Sequence, residues 1–292
     1  MAPQILMNGL ISASSCLLMA LGFALIYRTA RFFHFAHGIV FAASAYSTFL
    51  LVAWLRLPLW FSLVLGVVAG TAVGVSSEIC VYRPLRRRKA SPLVLLLASL
   101  GLYVALQNVL SMVFGDRTRS LPLIWTSDTI TLLGARVTYL HLATMCISVV
   151  VSLALAVLLK WTRLGQAVRA VSEDPGLANV AGIDADRITL LAFAMGSALA
   201  GIAGNLISLD VDMTPSMGLG PLMMGIVAGI VGGMRSVLGI ALGALLLGMA
   251  QHLGVWKISS QWQDAIAFFV LLAFLLVRPE GVMGKRLRKA TA

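Results

Sequence analysis

The feature that most limits this chain is a recurring apolar run about 20 residues long, the length a helix needs to cross the hydrocarbon core of a bilayer. Such runs fall at roughly 5–27, 36–55, 59–81, 93–114, 141–159, 189–209, 213–233, 237–254 and 264–277. Hydrophobic residues make up 60% of the 292 and charged residues 11%, against roughly a quarter charged in a soluble domain. That much apolar surface cannot be hidden inside one water-facing globule. The expected fold is therefore all-α: a single polytopic transmembrane helix bundle over 1–292, of about 8–9 spans. The two shortest runs are the last and the seventh, whose continuous apolar part is Pro221 to Gly233. A re-entrant seventh segment would change the count.

The net charge of +11 raises the question of a nucleic-acid partner, but the placement of the charges argues against one. Arg83, Arg86, Arg87, Arg88 and Lys89 follow directly on an apolar run, and so do Lys285, Arg286, Arg288 and Lys289. Basic clusters in that position anchor membrane helices from the cytoplasmic side. Arg28 and Arg31 follow the first run in the same way. Putting all three groups inside leaves the N-terminus outside, and nine crossings carry the C-terminus in. Met1-Ala2-Pro3-Gln4 lacks a basic n-region, so the first run reads as a retained span rather than a signal peptide. Cys16, Cys80 and Cys146 lie in or beside apolar runs without ligand spacing and are expected as small buried hydrophobes.

Glycine is concentrated in the second half, with 13 of the 27 between Gly196 and Gly254, including Gly225/Gly229 and Gly239/Gly243. Four-residue spacing lets helix backbones approach closely where lipid supplies no hydrophobic driving force. The expectation there is a tight bundle with little room for a wide permanent pore.

Two segments, one in each half, are apolar but interrupted. Residues 32–46 carry His34, His37 and Gly38; residues 213–229 carry Pro215, Gly218, Gly220 and Pro221. Broken hydrophobic segments in corresponding halves point to a translocation site, because half-helix ends offer unpaired backbone groups to a polar solute. Candidate path residues are thus His34, Phe35, His37, Gly38, Pro215, Gly218 and Gly220. His34 and His37 can share a helix face as metal ligands do, yet no Cys, Asp or Glu lies near enough in sequence to complete a set. A structural role, such as hydrogen-bonding the break, is the expectation, with no metal and no cofactor. Glu78 is expected to pair with the basic cluster after it, and Asp210 and Asp212 to be solvated in an outer loop.

The loop 160–188 holds strong local signals. Asp174-Pro175 makes an N-cap and first helical position, Gly182 suits the position that ends a helix, and Asp184 can cap the next segment. The short helix between them has Leu177, Val180 and Ala181 on or near one face. A helix of about two turns is marginal alone in water, so it must pack on its own bundle or on a partner.

Four segments together resemble the Liv-type permease family of importers driven by an ATP-binding cassette. They are His-Phe-Ala-His-Gly at 34–38, Ser-Glu-Asp-Pro-Gly-Leu-Ala-Asn-Val-Ala-Gly-Ile-Asp at 172–184, Gly-Ile-Val-Gly-Gly-Met-Arg-Ser-Val-Leu-Gly at 229–239, and the stretch from Asp264 to Gly281. The resemblance covers nearly the whole chain in order. It implies a membrane permease subunit for branched-chain or related hydrophobic amino acids in a bacterial inner membrane, with relatives that carry urea or short amides. Implied partners are ATPase subunits, a second related permease and a periplasmic substrate-binding protein, besides the lipid membrane. Glu173, Asp174, Pro175, Leu177, Ala178, Val180 and Gly182 match the family's coupling helix, and Phe35, Ala36, His37 and Gly38 its segment near the path. His34 stands where Asn is common and Ile39 where a polar or acidic residue often stands, and these departures bear on the substrate. The chain has no G-x-x-x-x-G-K-[ST] phosphate loop, so ATP hydrolysis is expected on another subunit.

Two other readings compete. A secondary carrier also uses broken helices, but an ion-driven one needs ionisable groups deep in the membrane, and the spans carry almost none. An intramembrane enzyme needs converging catalytic groups, whereas His34, His37, His141 and His252 are scattered without a nucleophile motif.

Overall fold

The computed structural model describes residues 2–121, 129–132, 134–256, 259–278 and 280–283, so the basic cluster Lys285–Lys289 lies outside the described residues. The chain opens with the 29-residue helix α1 (Ala2–Ala30). Helix α2 (His37–Phe49) continues through a π-helical turn, Leu50–Trp54. Helix α3 (Leu59–Ser77) passes through a second π turn, Glu78–Tyr82, into α4 (Arg83–Arg87). Then come α5 (Pro92–Phe114), the hairpin β1 (Thr129–Leu132) and β2 (Ala135–Thr138), and α6 (Tyr139–Trp161). Helices α7 (Arg163–Glu173) and α8 (Pro175–Val180) lead to α9 (Ala185–Ser208), α10 (Leu219–Gly232), α11 (Val237–Val255) and α12 (Gln263–Val277). The hairpin pairs Thr129 with Thr138 and Leu132 with Ala135, antiparallel.

Among the described residues, eight helices are long and apolar enough to cross a membrane, and α10 is a shorter apolar helix. Although short, α10 lies alongside α1. Gly220 and Pro221 at its start line a cavity beside Asn8 and Ser12 of α1, and Met234 just past its end lines another beside Tyr27 and Arg28. The seventh segment therefore runs from one end of α1 to the other.

Helix α1 is the central element, packed against α6, α9, α10 and α11. Its Leu18, Met19 and Phe23 share the main core with Phe41, Leu199, Leu222, Val227 and Leu247. The peripheral helices are built the other way round. On α3 the buried positions are Ser62, Gly66, Gly70, Gly74 and Ser77, while Trp60, Val64 and Val68 face outward. Lipid tails are as apolar as valine, so large side chains gain nothing by turning inward, whereas small residues let backbones close up. Helix α12 is the extreme case, with Phe269, Leu272, Leu276 and Val277 all exposed to the surroundings. The same logic corrects the reading of the cysteines: Cys80 and Cys146 are exposed and Cys16 is half-buried.

The glycine-rich half packs closely, as its spacing implies. A side chain on Gly239 or Gly243 of α11 would strike the backbone of Gly232 or Ala228 on α10, although Gly229 makes no such approach. A buried polar hub ties α2, α3 and α9 together. Asn205 Oδ1 accepts from Ser44 Oγ at 3.2 Å and Thr48 Oγ1 at 3.0 Å, while its Nδ2 donates to the Leu63 carbonyl at 2.8 Å.

Candidate functional site

The two interrupted segments meet. After α1 the chain runs non-helically through 31–36, and α2 starts at His37 without a side-chain cap. A Cβ added to Gly218 would collide with the Gly38 carbonyl, and one added to Gly38 would lie 2.9 Å from the Gly218 carbonyl. Only glycine at both places permits that backbone approach, and it brings together segments 180 residues apart in sequence (218 minus 38).

Irregular backbone at membrane depth needs partners inside the protein. Here Ser99 of α5 supplies them: its Oγ accepts from the Phe35 N–H at 3.1 Å and lies 3.1 Å from the Phe33 carbonyl. The histidines do not hold the break, contrary to the role expected for them. His34 and His37 are fully buried with ring centroids 5.8 Å apart. His34 sits edge-on to Tyr82 at 5.2 Å and Phe193 at 5.0 Å, and His37 edge-on to Phe23 at 6.4 Å. Neither ring nitrogen of His34 has a hydrogen-bond partner among the described residues, while His37 is set against the Met19 backbone of α1. Nor is any group of three His, Cys, Asp or Glu placed to hold a metal ion among those residues.

Of the candidate path residues, Gly220 lines an open cavity, of about 590 Å3, at the N-terminal end of α1. Gly38 and Gly218 are buried in their mutual contact, His34, His37 and Pro215 are buried too, and Phe35 is half-buried. The cavity wall is largely apolar, with Ile11, Leu206, Val211 and Met224 among its liners, and a few polar groups reach it: Asn8, Ser12, His141, Asp210, Gln251 and Asp264. Asp210 is not merely solvated, since its Oδ2 lies 3.1 Å from His141 Nε2. That pair and Ser99 escaped the sequence reading because both depend on partners more than 60 residues away.

At the other end, α7 and α8 form a bent pair. Helix α7 was not anticipated; it is amphipathic and buries Gly165, Val168 and Val171 against the bundle. The signals around α8 act as their chemistry dictates. Asp174 Oδ1 accepts from Gly176 N at 2.7 Å and Leu177 N at 3.0 Å, and Pro175 occupies the first turn. Gly182 ends the segment at φ +83°, where a β-carbon is costly. Asp184 then caps α9 by accepting from Arg187 N at 3.1 Å. The caps leave Leu177 69% and Val180 87% exposed, while Ala178 is turned inward and buried. Glu173 joins α7 to the loop after α10 through Arg235, 3.5 Å away.

The basic cluster lies at this same end. Arg83 and Arg87 pair with Asp186 of α9 at 3.1 and 3.4 Å, and Arg86 pairs with Glu78, which is fully buried in its π turn.

Comparison with known proteins covers nearly the whole chain. The family model for the branched-chain amino acid transport system permease component matches residues 5–275. The high-affinity branched-chain amino acid transport system permease protein LivH of Escherichia coli K12 is 31% identical over 97% of this chain and 95% of its own length. LivH of Salmonella typhimurium is 30% identical over the same shares of both chains. The permease protein BraD of Pseudomonas aeruginosa, of the same description, is 29% identical, again over 97% and 95%.

Proposed function

This chain belongs to the branched-chain amino acid transport permease family, and on that premise we propose that it carries branched-chain or related hydrophobic amino acids inward, driven by separate ATPase subunits. The observation that carries the coupling half of this reading is α8. A six-residue helix capped at both ends holds Leu177 and Val180 almost fully in the open. Exposed apolar pairs on a rigid, short helix call for a partner groove. The ATPase docks there, against Leu177 and Val180, with Glu173, Asp174, Pro175 and Gly182 shaping the helix. Ala178 contributes by anchoring it to the chain's own core.

The membrane orientation proposed is N-terminus outside and C-terminus inside. The co-location of Arg28, Arg31 and the Arg83–Lys89 cluster with α7 and α8 supports it, since basic loops stay cytoplasmic. The cavity at the N-terminal end of α1 then opens outward, where a substrate-binding protein delivers the solute, and a second permease of the same family completes the pair. The Gly38–Gly218 contact is the closed seam. In alternating access, movement of α8 with the ATPase parts the two broken segments, and His34, Phe35, His37, Pro215 and Gly220 flank the opening.

Uptake in a host lacking its own branched-chain permeases tests the reading. The chain, supplied with its ATPases and binding protein, is expected to restore leucine and valine uptake and not urea uptake. Urea uptake alone would reassign the substrate within the family. Uptake that persists when the ATPases are withheld would overturn the coupled mechanism.

A further inference from the structure

A second cavity, of about 470 Å3, lies at the C-terminal end of α1 beneath α7. Its charged lining is Arg28, Arg31, Arg169, Arg235 and Glu173, and its hydroxyls are those of Tyr27 and Ser172. Four guanidinium groups thus share one carboxylate. Arg31, Arg169 and Arg235 are exposed and Arg28 is half-buried, so water screens part of their mutual repulsion, yet the cluster still gives this cavity a positive potential that draws an anion. Glu173 serves Arg235, and no other acidic side chain lines the cavity among the described residues.

The remaining arginines are aimed rather than neutralised. Arg28 Nε donates to the Met234 carbonyl at 2.6 Å. Arg31 Nη2 donates to the carbonyls of Ser172 at 3.1 Å and Glu173 at 2.6 Å, and Arg169 donates to that of Leu159. Carbonyls orient a guanidinium but leave its charge in place. Arg31 also occupies φ +57°, a conformation that glycine takes more easily, and backbone strain of that kind gathers at functional sites. Two buried donors at the cavity have no partner among the described residues: Arg28 Nη2 and Ser172 Oγ. Buried donors are ordinarily paired, because leaving one unpaired costs its desolvation.

We infer that this cavity binds a phosphate-bearing anion, the chemistry shared by an acidic phospholipid headgroup and a free phosphate. Its oxygens accept from Arg28 Nη2 and Ser172 Oγ, and its charge offsets Arg28, Arg31, Arg169 and Arg235. Guanidinium forks match phosphate oxygens in geometry as well as charge. The position suits a headgroup, since basic pockets between helix ends at the cytoplasmic surface take acidic lipids. The headgroup position rests on the proposed orientation, and Glu173 is shared with the docking helix, but none of the four arginines belongs to the coupling assignment, so binding here and docking at α8 can fail separately.

The test uses the full chain, purified in detergent and stripped of lipid. Native mass spectrometry reads retention of phosphatidylglycerol against phosphatidylcholine, and calorimetry at fixed salt reads inorganic phosphate. Wild type is expected to bind phosphatidylglycerol or phosphate in preference to phosphatidylcholine, with R28Q and R235E each weakening binding by about tenfold. Binding of the lipid alone identifies a headgroup site, and binding of phosphate alone a site for the free anion. Arg235 is 65% exposed, so R235E decides the matter even where R28Q does not fold. Wild type that binds neither probe, or R235E that binds like wild type, overturns the inference.

Discussion

The two ends of this bundle are made of different materials. The end at the start of α1 opens into a wide, largely apolar cavity reached by neutral amides, hydroxyls, histidines and two carboxylates. The end at the close of α1 is ruled by arginine and by capped helices, and its cavity is lined by four guanidinium groups. A largely apolar wall with a few polar groups can meet a hydrophobic solute without trapping it. An arginine-rich wall holds anions and fixes segments in place. If the proposed roles of the two ends hold, substitutions at them should fail in different ways.

The largest effect is expected at the capped end. Replacing Leu177 and Val180 with Asp removes two apolar anchors worth about 1.5–3 kcal/mol each when buried. Association with the ATPase should fall about 100-fold or more, read by co-purification, while insertion stays normal. In the middle, Gly218→Val drives a side chain into the Gly38 carbonyl. Overpacking of that kind costs about 1–3 kcal/mol, and uptake should drop while ATPase association survives; unchanged uptake would separate the seam from the path. Asn205→Leu leaves Ser44 without one acceptor and Thr48 without its side-chain partner. The expected loss is about 1–2 kcal/mol of stability in thermal melts, near the upper range for polar contacts within membranes. Asp174→Ala removes the cap of α8 at about 1 kcal/mol, so coupling should weaken but persist. The smallest effect belongs to the open end. His141→Ala breaks a half-exposed pair worth under about 1 kcal/mol, and it should shift the apparent KM for uptake without touching assembly. A loss of ATPase association from His141→Ala would break the division of labour.

What the sequence made legible was local. Asp174-Pro175, Gly182 and Asp184 act within a few residues of themselves, and all four took the positions that their chemistry assigns. The basic runs likewise marked one end of the bundle, and the interruptions at Gly38 and Gly218 marked where helices break. What stayed hidden was long-range. Ser99 satisfies the break at Phe35 from 64 residues away, and Asn205 serves Ser44 from 161 residues away. The histidines misled because their spacing resembles a polar role, whereas aromatic rings surround them, Tyr82 and Phe193 at His34 and Phe23 at His37. The small-residue stripe of α3 was missed for a further reason. Hydropathy measures how apolar a helix is, not which side faces lipid, and the inward side here is Ser62, Gly66, Gly70 and Gly74.

The central claim is that the end carrying α8 couples this permease to its ATPase. The most direct measurement is ATP-driven leucine uptake into proteoliposomes holding the complete transporter, comparing wild type with the L177D/V180D variant at equal membrane density. The account predicts that the variant loses uptake and no longer stimulates ATP hydrolysis on addition of the loaded binding protein. Uptake at the wild-type rate would contradict it.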